Sequence, residues 1–179
     1  MASLRKANAY SKRKVTPFTR TSKRKNRAYI KVIPPQKIVK FVMGKFALIE
    51  KGKLPHKLIM ASTEKCQIRH NALEACRQFI NKKLDKNLSG MYAFKVVPFP
   101  HHIQRENKMI TGAGADRMQT GMQLSFGKSM GKAAIMKVGA PIFEIHLPNE
   151  KAIQMARKTL KQVNSKLPCK SNIVYEKLN

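Results

Sequence analysis

The chain has 179 residues, of which 37 are Lys or Arg and only nine are Asp or Glu, so its formal net charge is +28. A hydrophobic content of 42% suffices for one folded core, and no run of about 18 apolar residues is present to cross a membrane. A compact body this basic repels itself unless a polyanion binds it, which favours nucleic acid as the partner over a metabolic substrate.

Residues 1–36 are predicted to form a basic N-terminal arm. Few aliphatic residues precede Ile30, no acidic residue precedes Glu50, and Tyr10, Phe18 and Tyr29 are spaced among the basic residues. Such a segment cannot bury much apolar surface and is predicted to bind RNA, although a solvated tail is the alternative interpretation. The predicted nucleic-acid contacts in the arm are Arg5, Lys6, Lys12, Arg13, Lys14, Arg20, Lys23, Arg24, Lys25 and Arg27.

Residues 37–179 are predicted to form a single domain that starts with strands. β-Branched and aromatic residues indicate a strand over 38–42 and a second over 46–49. A third strand starts at Leu58 and is expected to reach Ile68.

The clearest helix follows, because Leu73, Cys76, Ile80 and Leu84 recur at intervals of three and four residues. Asn71 and Glu74 resemble a capping pair at its start, and residues 89–90, Ser-Gly, end it.

The second half of the domain adds strands over 92–97, 133–138, 142–147 and 173–175, with a second helix from about Asn149. Ile153, Ala156 and Leu160 mark the buried side of that helix, and its opposite side is basic. The expected fold is therefore α+β: a mixed or antiparallel sheet with two helices packed on one face.

Residues 100–132 are predicted to be a long internal loop, which is uncommon in a compact domain unless it is functional. It holds five of the nine glycines. Gly112-Ala113-Gly114 and Gly127-Lys128-Ser129 resemble fragments of nucleotide-binding loops, but neither completes its motif. A flexible linker is a second interpretation, and a loop whose backbone approaches RNA closely is the favoured one.

Neither the cysteines nor the histidines predict a metal site. Cys66, Cys76 and Cys169 show no C-x-x-C spacing and indicate free thiols, with Cys76 in the core. His101 and His102 would point to opposite faces of an extended chain, so one metal could hardly bind both. We expect no catalytic residue, cofactor or metal.

Several blocks of the sequence resemble one protein family. They are Arg-Glu-Asn-Lys-Met at 105–109, Ala-Asp-Arg at 115–117, Gly-Met at 121–122 and Phe-Gly-Lys at 126–128, preceded by Val-Pro-Phe-Pro at 97–100. Further matches lie at 67–75 and 166–168. The family is large-subunit ribosomal protein sixteen, in its archaeal and eukaryotic branch called "ten-e", and the Arg-Glu-Asn form is more typical of archaea.

The resemblance implies a structural protein of the large ribosomal subunit, cytoplasmic and ribosome-bound, that supports translation and late subunit assembly. Its partners would be large-subunit rRNA, tRNA, neighbouring ribosomal proteins and assembly factors, with no membrane and no homo-oligomer. The family's internal loop points toward the peptidyl-transferase centre and the tRNA acceptor ends. In this chain the matching residues are Arg105, Glu106, Asn107, Lys108, Met109, Gly112, Gly114, Asp116 and Arg117, and further rRNA contacts are expected at Arg69, Lys128, Lys132 and Lys137.

The chain departs from the family pattern at Gln123, Leu124, Ser129 and Ile135, which puts the local RNA contacts at those positions in doubt. A general RNA- or DNA-binding architectural or chaperone protein remains the alternative, because composition alone does not separate it from a ribosomal protein.

Overall fold

A computed structural model describes Ile30, residues 32–106 and residues 128–178 of the chain. The elements, in chain order, are β1 (Val42–Gly44), the short helix α1 (Ala47–Glu50), β2 (His56–Ser62), β3 (Cys66–Arg69), α2 (His70–Leu88), β4 (Ala93–Val96), β5 (His102–Glu106), β6 (Lys128–Met136), β7 (Pro141–Leu147), α3 (Glu150–Val163), a 3-10 turn (Asn164–Lys166) and β8 (Ser171–Lys177). None of the described helices is long and apolar enough to span a membrane.

The strands form two antiparallel sheets, so the α+β class is confirmed and the expectation of one sheet is wrong. The large sheet has the order β1-β4-β7-β2-β8, and the small sheet has the order β3-β6-β5. The strand expected to run from Leu58 to Ile68 breaks after Ser62, whose hydroxyl donates a hydrogen bond to the carbonyl of Glu64 at 2.7 Å. This turn carries the chain from the large sheet into the small one.

Helices α2 and α3 pack against each other and onto the sheets, and their apolar stripes lie in the core as predicted. Leu73, Cys76, Ile80 and Leu84 of α2 are fully buried, and so are Ala156 and Leu160 of α3. Helix α2 ends at Ser89, which adopts a left-handed backbone with φ of 46°, before Gly90. The three cysteines are free thiols, as predicted, and Cys66 and Cys169 are buried as well as Cys76.

The chain before β1 is mostly a strap, defined here as residues 32–41, and not the strand predicted over 38–42. The backbone N–H of Lys37 donates to Nδ1 of His70, and the N–H of Val39 donates to a carboxylate oxygen of Glu74. These donors are satisfied by side chains of α2 and so need no neighbouring strand, while Ile38 is buried in the core.

Two further local predictions are wrong for identifiable reasons. Residues 47–50 form the helical turn α1, because Gly44 turns the chain with φ of +83° and the N–H of Lys45 then donates to the carbonyl of Tyr92. Asn71 and Glu74 do not cap α2, which starts at His70 with Arg69 at its N-cap position.

The predicted loop over 100–132 is shorter than expected, because its two ends are strands. Strands β5 and β6 pair, with Ile103 opposite Lys132 and a bulge between Gln104 and Arg105. A half-buried strand is recognised by alternating apolar and polar residues, but these strands also carry His, Gln, Arg, Gly and Ser at positions where apolar residues would be expected. Their sequence pattern therefore did not indicate strands. The rest of the predicted loop, residues 107–127, lies outside the described residues.

Candidate nucleic-acid interface

The small sheet gathers most of the predicted RNA-binding residues that the structure describes. Arg69 ends β3, Arg105 lies near the end of β5, and Lys128 and Lys132 lie on β6. Lys128 is the register partner of Glu106, so Arg105 and Lys128 lie close together where β5 ends and β6 begins, at the base of segment 107–127.

Not every predicted residue joins this group. Lys137 follows the far end of β6, nine positions beyond Lys128, which corresponds to about 30 Å along an extended strand. Asn107, Lys108, Met109, Gly112, Gly114, Asp116, Arg117 and the arm residues Arg5, Lys6, Lys12, Arg13, Lys14, Arg20, Lys23, Arg24, Lys25 and Arg27 lie outside the described residues, as do Gln123 and Leu124.

Three cationic residues from three different elements lie around the N-terminus of α2. The backbone N–H of Lys37 in the strap donates to His70 Nδ1, Arg69 at the end of β3 is the N-cap residue, and Lys132 on β6 adjoins Ala133, the register partner of Arg69. The first turn of α2 contains no acidic residue. The positive end of the helix dipole therefore adds to the three side-chain charges, as at anion-binding helix termini.

The nearest carboxylate on α2 is already engaged by other groups. Glu74 accepts hydrogen bonds from Arg77 Nε at 2.8 Å, from Arg77 Nη2 at 2.6 Å and from Gln78 at 2.8 Å. Hydrogen bonding to Arg77 holds the pKa of Glu74 below its usual range. Because this carboxylate is neutralised by a bidentate partner, it offsets little of the positive charge at the helix end.

Two buried histidines lie among these cations and remain neutral. Burial and the charges of Lys37, Lys132 and Arg69 lower the pKa of His70 to about 4. Burial and the charge of Arg105 lower the pKa of His102 to about 4. Burial disfavours the charged imidazolium form of both side chains, and the neighbouring positive charges add to this effect.

The outer face of the small sheet contains a buried polar pair. Gln67 on β3 and Gln104 on β5 are joined by a hydrogen bond at 3.2 Å, and both are almost fully buried. Ile135 on the same face is 42% exposed. A polar layer of this kind fixes the register of the strands that carry Arg69 and Arg105.

Two departures from the family pattern fall on β6. The hydroxyl of Ser129 donates a hydrogen bond to the carbonyl of Val32 at 2.8 Å, which ties the strap to the sheet. Ile135 is exposed opposite Gln67. Neither side chain carries a charge for phosphate, but Ser129 has a structural role that the sequence did not indicate.

Sequence reasoning missed Lys37 and His70 as parts of this group. The two residues are 33 positions apart, and their contact depends on the path of the strap, for which no periodic pattern exists. His101 is exposed and His102 buried, which confirms that adjacent histidines there face opposite ways. Within the described ranges, no cluster of three or more His, Cys, Asp or Glu side chains could hold a metal ion.

Lowering the pH from 7 to 5 is expected to destabilise the isolated chain. The pKa of a histidine is about 6.5 in the unfolded chain and about 4 for His70 and His102 in the folded chain. Between these values protons bind preferentially to the unfolded state, so stability is lost as the pH falls from 6.5 toward 4. The expected loss at pH 5 is roughly 1–2 kcal/mol for each of the two. Urea unfolding at pH 7 and pH 5 measures it.

The control is the double variant His70→Gln, His102→Gln, whose stability should change much less between the two pH values. A small residual fall is expected from His146, whose pKa is also lowered by burial. Glu74 titrates below its usual 4.5 and does not contribute at pH 5. An equal loss in wild type and double variant would contradict the neutral assignment.

Comparisons with known proteins agree with the resemblance. The family described as Ribosomal protein L16p/L10e matches residues 16–174. The chain is 42% identical over 179 residues to the large ribosomal subunit protein uL16 of Sulfolobus acidocaldarius, covering 98% of the chain and 96% of that protein. The proteins of the same name from Staphylothermus marinus and Hyperthermus butylicus are 39% and 40% identical, covering 98% and 93% of the chain and 95% and 90% of the relative.

Proposed function

The chain belongs to the ribosomal protein L16p/L10e family, and from that premise we propose that it binds large-subunit rRNA through the small sheet, the N-terminus of α2 and the basic arm. It is a structural protein of the large ribosomal subunit and not an enzyme. The proposal locates it on the ribosome in the cytoplasm, among neighbouring ribosomal proteins.

The observation that carries the proposal is the meeting of Lys37, Arg69 and Lys132 at the positive end of α2. A phosphate there would receive backbone N–H groups, a guanidinium and two ammonium groups at once. A-form RNA hides its base edges in a narrow groove, so recognition by phosphate position and shape suits a rigid cationic site of this kind.

The finer part of the proposal concerns the segment between β5 and β6. By resemblance, residues 105–119 would extend from the base formed by Arg105 and Lys128 toward the peptidyl-transferase centre and the acceptor ends of tRNA. Peptide transfer there is performed by RNA, so the segment would position partners and would carry no catalytic group. Assembly factors would meet the chain when it joins the subunit late in assembly.

A competition assay tests the rRNA assignment against a general nucleic-acid chaperone. At 0.2 M salt, the full chain should prefer its large-subunit rRNA over unrelated RNA and DNA of equal length by about 100-fold or more. A chaperone would bind all three about equally, which would overturn the proposal.

The variant Lys37→Gln, Lys132→Gln should weaken binding to large-subunit rRNA by about tenfold, because two phosphate contacts are lost. Lys177→Gln on β8, at the far edge of the large sheet, is the matched control and should leave it nearly unchanged.

A further inference from the structure

Three aromatic rings form a stack on the surface beside the strap. The rings of Phe41 and Phe99 are stacked, with centroids 5.2 Å apart and an interplanar angle of 22°, and the ring of His101 is tilted by 43° against that of Phe99 at a centroid distance of 4.5 Å. Phe99 is 45% exposed, and His101 is also exposed. Phe99 contacts both other rings, so the surface open to solvent consists of the ring of His101 and the exposed part of Phe99.

The backbone holds these rings in place before any partner binds. Pro98 and Pro100 flank Phe99, Pro100 is buried, and the N–H of His101 donates to the carbonyl of Phe99 at 3.0 Å. The N–H of Val96 donates to the carbonyl of Phe41 at 2.7 Å. Because proline fixes φ and the turn is hydrogen-bonded, little conformational entropy remains to be lost when a ligand stacks on the rings.

Packing of the core does not require the exposed ring of Phe99. The core has its own aromatic pair in Phe94 and Phe143, which are fully buried, and Phe99 is not part of that cluster. Phe99 is thus held by its flanking prolines with nearly half of its surface available to a partner.

The charge around the stack selects the class of partner. The two stretches that supply its rings, residues 32–42 and 91–105, contain no acidic residue. Lys40, which precedes Phe41, is exposed, and so is Lys95, which is the register partner of Val42. Lys37 precedes Phe41 by four residues, at most about 14 Å of extended chain. His101 adjoins the neutral His102, which lies close enough to Arg105 to feel its charge. An aromatic face bordered by cations matches a nucleobase with its phosphates.

We propose that Phe99 and His101 form a stacking platform for one unpaired base of the RNA bound at the small sheet. The inference rests on the proposed rRNA-binding function and adds to it a site that accepts a base and not only phosphate. Every base presents a π face, so the platform would select an unpaired nucleotide without selecting its sequence.

The test uses the full chain and two RNA duplexes of equal charge, one fully paired and one with a single bulged nucleotide. Wild type should bind the bulged duplex about tenfold more tightly. Phe99→Leu should abolish this ratio, and Phe99→Tyr should retain it. Tyr175→Leu is the matched control, because Tyr175 is 39% exposed and its ring lies 5.9 Å from that of His56 at the opposite edge of the large sheet.

Each result has one meaning. A bulge preference that disappears only in Phe99→Leu supports the platform. Equal binding of both duplexes by wild type, or an unchanged ratio in Phe99→Leu, overturns it while leaving phosphate binding intact. A Phe99→Leu variant that melts earlier and loses affinity equally for both duplexes assigns the stack to the fold and also overturns it. The proposed function fails separately, if the full chain shows no preference for large-subunit rRNA over unrelated RNA in the competition assay.

Discussion

Deleting residues 1–27 is expected to flatten the salt dependence of RNA binding more than any other single change. The deletion removes ten basic side chains, namely Arg5, Lys6, Lys12, Arg13, Lys14, Arg20, Lys23, Arg24, Lys25 and Arg27. Each phosphate neutralised contributes roughly 0.7–0.9 to the slope of log K against log salt, so full engagement of the arm accounts for a slope of about seven to nine. Binding to large-subunit rRNA between 50 and 300 mM salt measures the slope.

A length-matched variant separates charge from chain length in this experiment. Replacing the same ten residues by Gln keeps the arm and removes its charge, so it should behave like the deletion. Thermal melting should show that the domain remains folded in both, because both variants keep every core residue that the structure describes. A slope equal to that of wild type in either variant would mean that the arm contacts no phosphate.

Replacing Arg105 by Ser is expected to impair late maturation of the large subunit or its handling of tRNA. Arg105 lies at the β5 bulge opposite Ser129, at the base of segment 107–127, and burial lowers the pKa of its guanidinium. A guanidinium–phosphate contact at a partly desolvated site contributes about 1.5–3 kcal/mol, which corresponds to at least a tenfold loss of occupancy. Polysome profiles of cells that carry the variant as their only copy measure the effect.

Arg105→Lys and the melting temperature of the isolated variants provide the controls for this change. Lys keeps the charge but not the bidentate geometry, so an intermediate profile is expected. Arg105 is half-buried, so any fall in melting temperature must be subtracted before the cellular defect is assigned to RNA. Normal profiles with Ser at this position would remove the segment from the mechanism.

The elements that sequence reasoning predicted well are those with a strong periodic pattern and one buried face. Helix α2 was found from Leu73, Cys76, Ile80 and Leu84, and β7 from its nearly continuous apolar run. Both are stabilised mainly by burial of apolar side chains, and the spacing of those side chains along the sequence shows the pattern of a helix or a buried strand.

The elements that it missed are held by polar contacts between distant residues. The strap depends on His70 and Glu74 accepting its backbone N–H groups, and β5, which pairs with β6, is joined to β3 by the Gln67–Gln104 hydrogen bond across the small sheet. Such contacts carry no periodic signal, because each one depends on a fold that must already exist. The same holds for the division into two sheets, which requires the chain to pass from one sheet to the other after Ser62, between β4 and β5 and between β6 and β7.

The candidate site was predicted in part. Charge and resemblance identified Arg69, Arg105, Lys128 and Lys132 as RNA contacts, and the structure brings them to one small sheet. Resemblance did not indicate Lys37 or His70, which join Arg69 and Lys132 at the start of α2 only because the strap passes over it. That these residues contact rRNA stays a prediction.

Sedimentation of the tagged chain through a sucrose gradient, first at physiological salt and then across a salt series, is the decisive measurement. The chain should travel with large subunits and leave them only when the salt concentration screens phosphate contacts. If the chain sediments with unbound proteins at physiological salt while its large subunits are intact, it is not a resident of the subunit.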